Sequence, residues 1–74
     1  PEGQAMEKAR RMVEEKLGVT PVSADTLIAQ TGLPAGLVQS ALLEMELAGR
    51  VQRFYGGRVS LMISDALGVM KTAG

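Results

Sequence analysis

Apolar residues recur at three- and four-residue intervals early in the chain: Met6, Ala9, Met12, Val13 and Leu17, with Lys8, Arg11, Glu14 and Glu15 mostly between them. That spacing predicts an amphipathic helix over residues 4–17. Gly18 stands where a left-handed residue commonly ends a helix. Glu7 and Arg11 are spaced i, i+4, the separation at which opposite charges meet on a helix face. Thr20-Pro21-Val22 reads as extended, because proline disfavours helix at the residue before it and restricts its own φ. Ser23 is then an N-cap for a short helix over residues 24–31, with Asp25 in its first turn and Leu27 and Ile28 on its buried side. Gly32 ends that helix. Gly32-Leu33-Pro34 turns into a third helix with Pro34 at or near its first position.

The third helix runs to about Ala48, where Gly49 stops it. Its core stripe is Val38, Ala41, Leu42 and Met45, which share one side at 100° per residue. The opposite side carries Gly36, Gln39, Ser40, Leu43 and Leu47, with Glu44 and Glu46 at the flanks. After Gly49 the period falls to about 2, and residues 50–55 and 58–63 flank Gly56-Gly57, a hairpin signal. A two-residue turn would pair Phe54 with Val59. A three-residue loop with a bulge places Val51, Val59 and Leu61 on one face and is preferred, because it buries three aliphatics together. Ser64-Asp65 either caps a further turn carrying Leu67, Val69 and Met70 or opens a frayed tail; the pattern is too short to separate the two.

Two short helices joined by a Gly-containing turn are a helix-turn-helix signature. Helix, short strand, helix, turn, helix, hairpin is the order of a winged helix-turn-helix: mainly α with a small β-hairpin, three helices plus a wing. Residues 1–18 form the first helix and residues 19–63 the helix-turn-helix and wing of one winged-helix domain, with residues 64–74 as a short C-terminal extension. Seventy-four residues allow one domain and a small core. The only aromatics are Phe54 and Tyr55, so that core is aliphatic. The start at Pro1 rather than Met fits a domain excised from a longer polypeptide, or a chain whose start was processed by proteolysis or initiator-Met removal. Apolar runs are too short to cross a membrane, and no secretory signal is visible.

The net charge of zero hides a segregation. Residues 1–18 balance four acids against four bases. Residues 19–49 hold Asp25, Glu44 and Glu46 without a cation, giving −3, and residues 50–74 hold Arg50, Arg53, Arg58 and Lys71 against Asp65, giving +3. The distribution bears on partners where the total does not.

Catalytic chemistry is poorly supplied. With neither histidine nor cysteine, the commonest bases, nucleophiles and transition-metal ligands are missing. Adjacent Glu14 and Glu15 point about 100° apart, and Glu44 and Glu46 about 200° apart, so neither pair is a preformed dyad. Gly56-Gly57 lacks the following helix N-terminus that a phosphate-cradling loop requires. Met6, Met12, Met45, Met62 and Met70 are read as core filler. No enzyme activity, catalytic residue, metal, cofactor, membrane contact or small-molecule substrate is expected.

Two surfaces remain as binding candidates. The outer side of the third helix offers Gln39 as its sole base-reading side chain, and its two carboxylates oppose a phosphate field. Leu43 and Leu47, an i, i+4 pair, are instead candidates for packing on another domain or protein, or for an ordinary solvated face. At the hairpin, Arg50, Arg53 and Arg58 lie near Phe54 and Tyr55. Arginines beside an aromatic can contact phosphates and stack on an unpaired base, which makes Arg50, Arg53, Arg58 and Tyr55 the candidate nucleic-acid contacts. The competing reading has the arginines protecting an edge strand and Phe54 capping the core. Three arginines support at most weak, salt-sensitive binding.

Residues 20–62 carry a resemblance. Thr20-Pro21-Val22-Ser23, Leu27 and Ile28, Thr31-Gly32-Leu33-Pro34-Ala35, the stretch from Ala41 to Val51 (ALLEMELAGRV) and Gly56-Gly57-Arg58-Val59 together resemble the C-terminal winged-helix domain of the DNA-processing protein A (DprA/Smf) family. The resemblance implies a bacterial cytoplasmic protein acting in natural transformation, whose members bind incoming single-stranded DNA and help load a recombinase. It also implies that the DNA site and self-association belong chiefly to a Rossmann-like domain before Pro1, with the winged helix as an accessory module. None of the family's DNA-site residues map onto these positions. The alternative is the operator-binding winged helix of a transcriptional regulator.

Overall fold

The chain order is α1 (Glu2–Lys16), β1 (Val22–Ser23), α2 (Ala24–Thr31), α3 (Ala35–Leu47), β2 (Val51–Phe54) and β3 (Arg58–Leu61) in a computed structural model that describes residues 2–62. The proposed turn at Ser64-Asp65 and its Leu67, Val69 and Met70 lie outside the described residues.

Each helix ends for a local reason. Ser23 caps α2: its Oγ accepts from the Thr26 backbone N–H at 3.0 Å, as expected for a serine with extended backbone before a helix. Gly32 closes α2 with φ 70°, donating its N–H to the Ile28 carbonyl. Pro34, immediately before α3, has φ −57° and ψ 142°. At the far end of α3 the Gly49 N–H donates to the Glu46 carbonyl and the Arg50 N–H to the Met45 carbonyl, with Gly49 at φ 76°. This is a Schellman closure, and it turns the chain sharply into β2.

Gly18 departs from expectation. It is not among the positive-φ glycines. The Leu17 N–H already finds the Val13 and Glu14 carbonyls, and the Gly18 carbonyl accepts from the Leu61 N–H at 2.8 Å. Its task is to tie the end of α1 to β3, which a left-handed cap does not require. The expected Glu7–Arg11 pair is also absent among the described residues; Arg10 is the α1 cation that finds a carboxylate, and it lies across the helix interface.

The core draws on every layer. Ala9 and Val13 of α1 and Leu17 just beyond it meet Ala24 and Leu27 of α2, Val38, Ala41, Leu42 and Met45 of α3, and Val51 and Val59 of the sheet. Met6, Val22, Ile28, Leu33, Leu37 and Leu61 close its margin. Burying a side chain of Val, Leu or Met size contributes about 1.5–3 kcal/mol, so this aliphatic set is the main stabilising term.

The sheet is antiparallel with strand order β1-β3-β2. Of the segment expected to be extended, Val22, with Ser23 after it, supplies a third strand beside the hairpin, while Thr20 lies in a bend. Val51 pairs with Leu61 and Phe54 with Arg58, leaving the three-residue loop Tyr55–Gly57. Gly56 and Gly57, at φ 77° and 69°, make that reversal possible. This is the register that places Val51, Val59 and Leu61 on one face.

Candidate interaction surfaces

Strand alternation decides what the wing presents. Arg53 sits opposite Val59 and Phe54 opposite Arg58, so Arg53 and Arg58 belong to opposite faces of the hairpin. Arg53 shares its face with Val51, and its Nε donates to Glu46 Oε1 of α3 at 2.9 Å. Arg50, at the junction between α3 and β2, pairs with Glu14 of α1. Glu14 Oε2 is enclosed, with that guanidinium beside it. Arg58 has no carboxylate partner among the described residues; its Nε donates to the Tyr55 carbonyl at 3.4 Å. The three wing arginines therefore form no common patch. Two of them neutralise carboxylates of the helices.

The aromatics lie at the tip of the wing. Tyr55 is 96% exposed and Phe54 is 40% exposed, outside the buried core. Phe54 does not cap the core, so that part of the competing reading is set aside. Arg53, Phe54 and Tyr55 line an open depression at this end of the molecule.

The outer side of α3 is more ordered in its charges than its composition suggests. Leu47 is 80% exposed and Leu43 50% exposed, with Gly36, Gln39 and Ser40 exposed on the same side. Glu44 and Glu46 leave the helix on opposite flanks. Arg10 of α1 holds Glu44 on one flank, and Arg53 of β2 holds Glu46 on the other. The leucines form a ridge between two ion pairs. Two of the three carboxylates counted along residues 19–49 are thus neutralised in space by arginines from both sides of that segment.

Arg10 and Glu14 are the residues that sequence reasoning passed over. Arg10 lies 34 positions from Glu44, and Glu14 lies 36 from Arg50. No local pattern connects positions so far apart. Arg53 and Glu46, seven apart across a turn, are nearer. The strand parity of Arg53 would have revealed them once the register was chosen.

Among the described residues, three helices, a short strand β1 paired to the hairpin and an open wing define a winged helix-turn-helix domain. Winged helices as a class bind nucleic acids or proteins and are not, in general, catalytic folds. The DprA winged helix domain model matches residues 1–57, and the chain belongs to that family. The match ends at the wing tip, one residue before β3. No curated protein matches the chain. Among the described residues no helix is long and apolar enough to cross a membrane.

Proposed function

We propose that this domain is a non-catalytic accessory module of a bacterial, cytoplasmic DNA-processing protein acting in natural transformation, and that it works chiefly through protein contact on the outer side of α3. One observation carries the reading: Leu43 and Leu47 stand exposed between two carboxylates that are both already paired. An apolar centre with a satisfied polar rim is the anatomy of a protein interface. A groove-reading helix needs cations for phosphates and amide or guanidinium groups for base edges, and this side has Gln39 alone. The operator-binding alternative is disfavoured for that reason.

The test is calorimetric titration of the chain against the remainder of its parent protein and against itself. Leu43→Glu and Leu47→Glu, each checked for an unchanged melting curve, should abolish whichever association is seen. Association unaffected by both substitutions would make this side plain solvent surface.

A second, weaker contact is supported by the wing tip, where Tyr55 is almost wholly exposed beside Arg58, which has no carboxylate partner among the described residues. Tyr55 offers a stacking plane for an unpaired base and Arg58 a phosphate contact. Arg50 and Arg53, proposed with them, would first have to release Glu14 and Glu46. Anisotropy titration with single- and double-stranded DNA at low and high salt should show weak binding that Tyr55→Ala and Arg58→Ala remove. Binding lost only in the Arg50→Ala variant would place the contact elsewhere.

A further inference from the structure

We infer that the partner of the α3 ridge is a second copy of this chain, packed antiparallel across a two-fold axis. The inference rests on the reading of this side as a protein contact and names its occupant. Along the outer side of α3 the first half is flat and the second half raised: Gly36 and Ser40, then Leu43 and Leu47. In an antiparallel pair with Leu47 set against Gly36 of the other copy, Leu43 falls against its Ser40. Both raised residues then meet both flat ones, twice over, as an isologous interface demands.

Three further features fit that arrangement. A Cβ added at Gly36 would meet nothing within 4 Å, and its φ is not positive. Neither internal packing nor backbone geometry therefore calls for glycine there, and the space is open to close approach by another helix. The charges are compatible as well. Glu44 and Glu46 each carry an arginine of their own chain, so two copies approach without opposing bare like charges. Gln39 shares the flank of Glu46, and the antiparallel register brings its amide within about two residues of that carboxylate on the other copy. The apolar ridge is also short. A helix of 13 residues is about 20 Å long, so the contact falls below the roughly 800 Å² per partner of a standard interface, and the dimer is weak and concentration-dependent.

The test is sedimentation equilibrium of the 74-residue chain from about 10 μM to about 1 mM, a span suited to a contact of this size. The expected mass rises from 7.8 kDa towards twice that value. Leu43→Glu and Leu47→Glu should weaken the dimer at least tenfold while leaving the thermal melt unchanged. Gly36→Leu is the sharper variant. It adds apolar surface in open space, so simple stickiness would increase, but a seat for Leu47 would be blocked and association should fall.

Geometry is read from cysteines, because the chain has none of its own. A mixture of Ser40→Cys and Leu43→Cys chains should cross-link in preference to either alone, and Leu47→Cys should not link to itself, lying ~16 Å from its counterpart along the axis. Self-linking of Leu47→Cys would mark a parallel pair and overturn the arrangement. A monomer at 1 mM overturns the inference, as does a dimer indifferent to all three α3 substitutions. A monomer that dimerises only after removal of residues 63–74 assigns the ridge to the chain's own tail and also overturns it. The titration against the rest of the parent protein judges the broader protein-contact reading separately.

Discussion

Arg53 of the wing and Glu46 of α3 are joined by an Nε–Oε1 hydrogen bond of 2.9 Å, which makes the wing and the third helix electrostatic partners. Both side chains are partly exposed, so the pair is screened and should contribute modestly. In a double-mutant cycle of Arg53→Ala and Glu46→Ala, followed by urea unfolding, the coupling should be about 0.2–1 kcal/mol and should shrink at high salt. A coupling of several kcal/mol would mean the pair is far more desolvated than its exposure indicates.

Gly49 and Gly36 should respond oppositely to alanine. Gly49 holds φ 76° in the closure of α3, and a Cβ there is strained whatever the surrounding space. Gly49→Ala should therefore cost about 1 kcal/mol or more. Gly36 lies in helix with open space around it, so Gly36→Ala should be neutral or stabilise the monomer by up to about 1 kcal/mol. Comparing denaturation midpoints of the two dilute variants checks both signs at once.

Ser23 supplies the one side-chain cap seen on α2, accepting from Thr26 N–H while its hydroxyl also meets Thr26 Oγ1 at 2.8 Å. Ser23→Ala should destabilise the domain by about 1 kcal/mol. Ser23→Asp should restore most of that loss, since a carboxylate caps equally well and faces the helix N-terminus. Thermal melts of the two variants beside the parent chain give the comparison.

Leu42 is fully buried at the centre of the α3 core stripe. Leu42→Ala should cost about 2–5 kcal/mol through lost transfer energy and a residual cavity. For 74 residues the total stability is roughly 4–11 kcal/mol, so this single change takes a large share of it. Circular dichroism on heating should show a lowered midpoint or a chain already unfolded at room temperature. Leu47→Ala, on the exposed side of the same helix, should stay within about 0.5 kcal/mol of the parent.

Much of this molecule could be read from periodicity. Val38, Ala41, Leu42 and Met45 stand 3.6-periodic in the chain and all four are buried, because a hydrophobic stripe has one side to turn inward. Ser23, Gly32 and Gly49 mark helix ends because each has a chemical reason to be there. The hairpin register followed from asking which pairing buries three aliphatics, and Val51, Val59 and Leu61 do share a face. What escaped was set by distance in sequence. The joining of Val22 to Val59 and the pairing of Arg10 with Glu44 depend on how the helices pack, and no local window contains both partners. The charge segregation misled for the same reason. Counted along the chain it pointed to a basic wing, but in space Arg50 and Arg53 turn back onto the helices and leave Arg58 on the other face.

The central strand of the sheet is also the last strand among the described residues. β1 ends at Ser23, yet its partner Arg58 emerges 35 residues later, and β2 likewise has no neighbour until β3 is made. During synthesis the three helices can gather while both outer strands still lack hydrogen-bond partners. The Gly18–Leu61 bond that locks the end of α1 to the sheet also waits for that moment. β3 thus supplies the hydrogen-bond partners of both outer strands at once. A chain truncated at Gly57 would keep its helical sequence but leave the sheet without its middle strand.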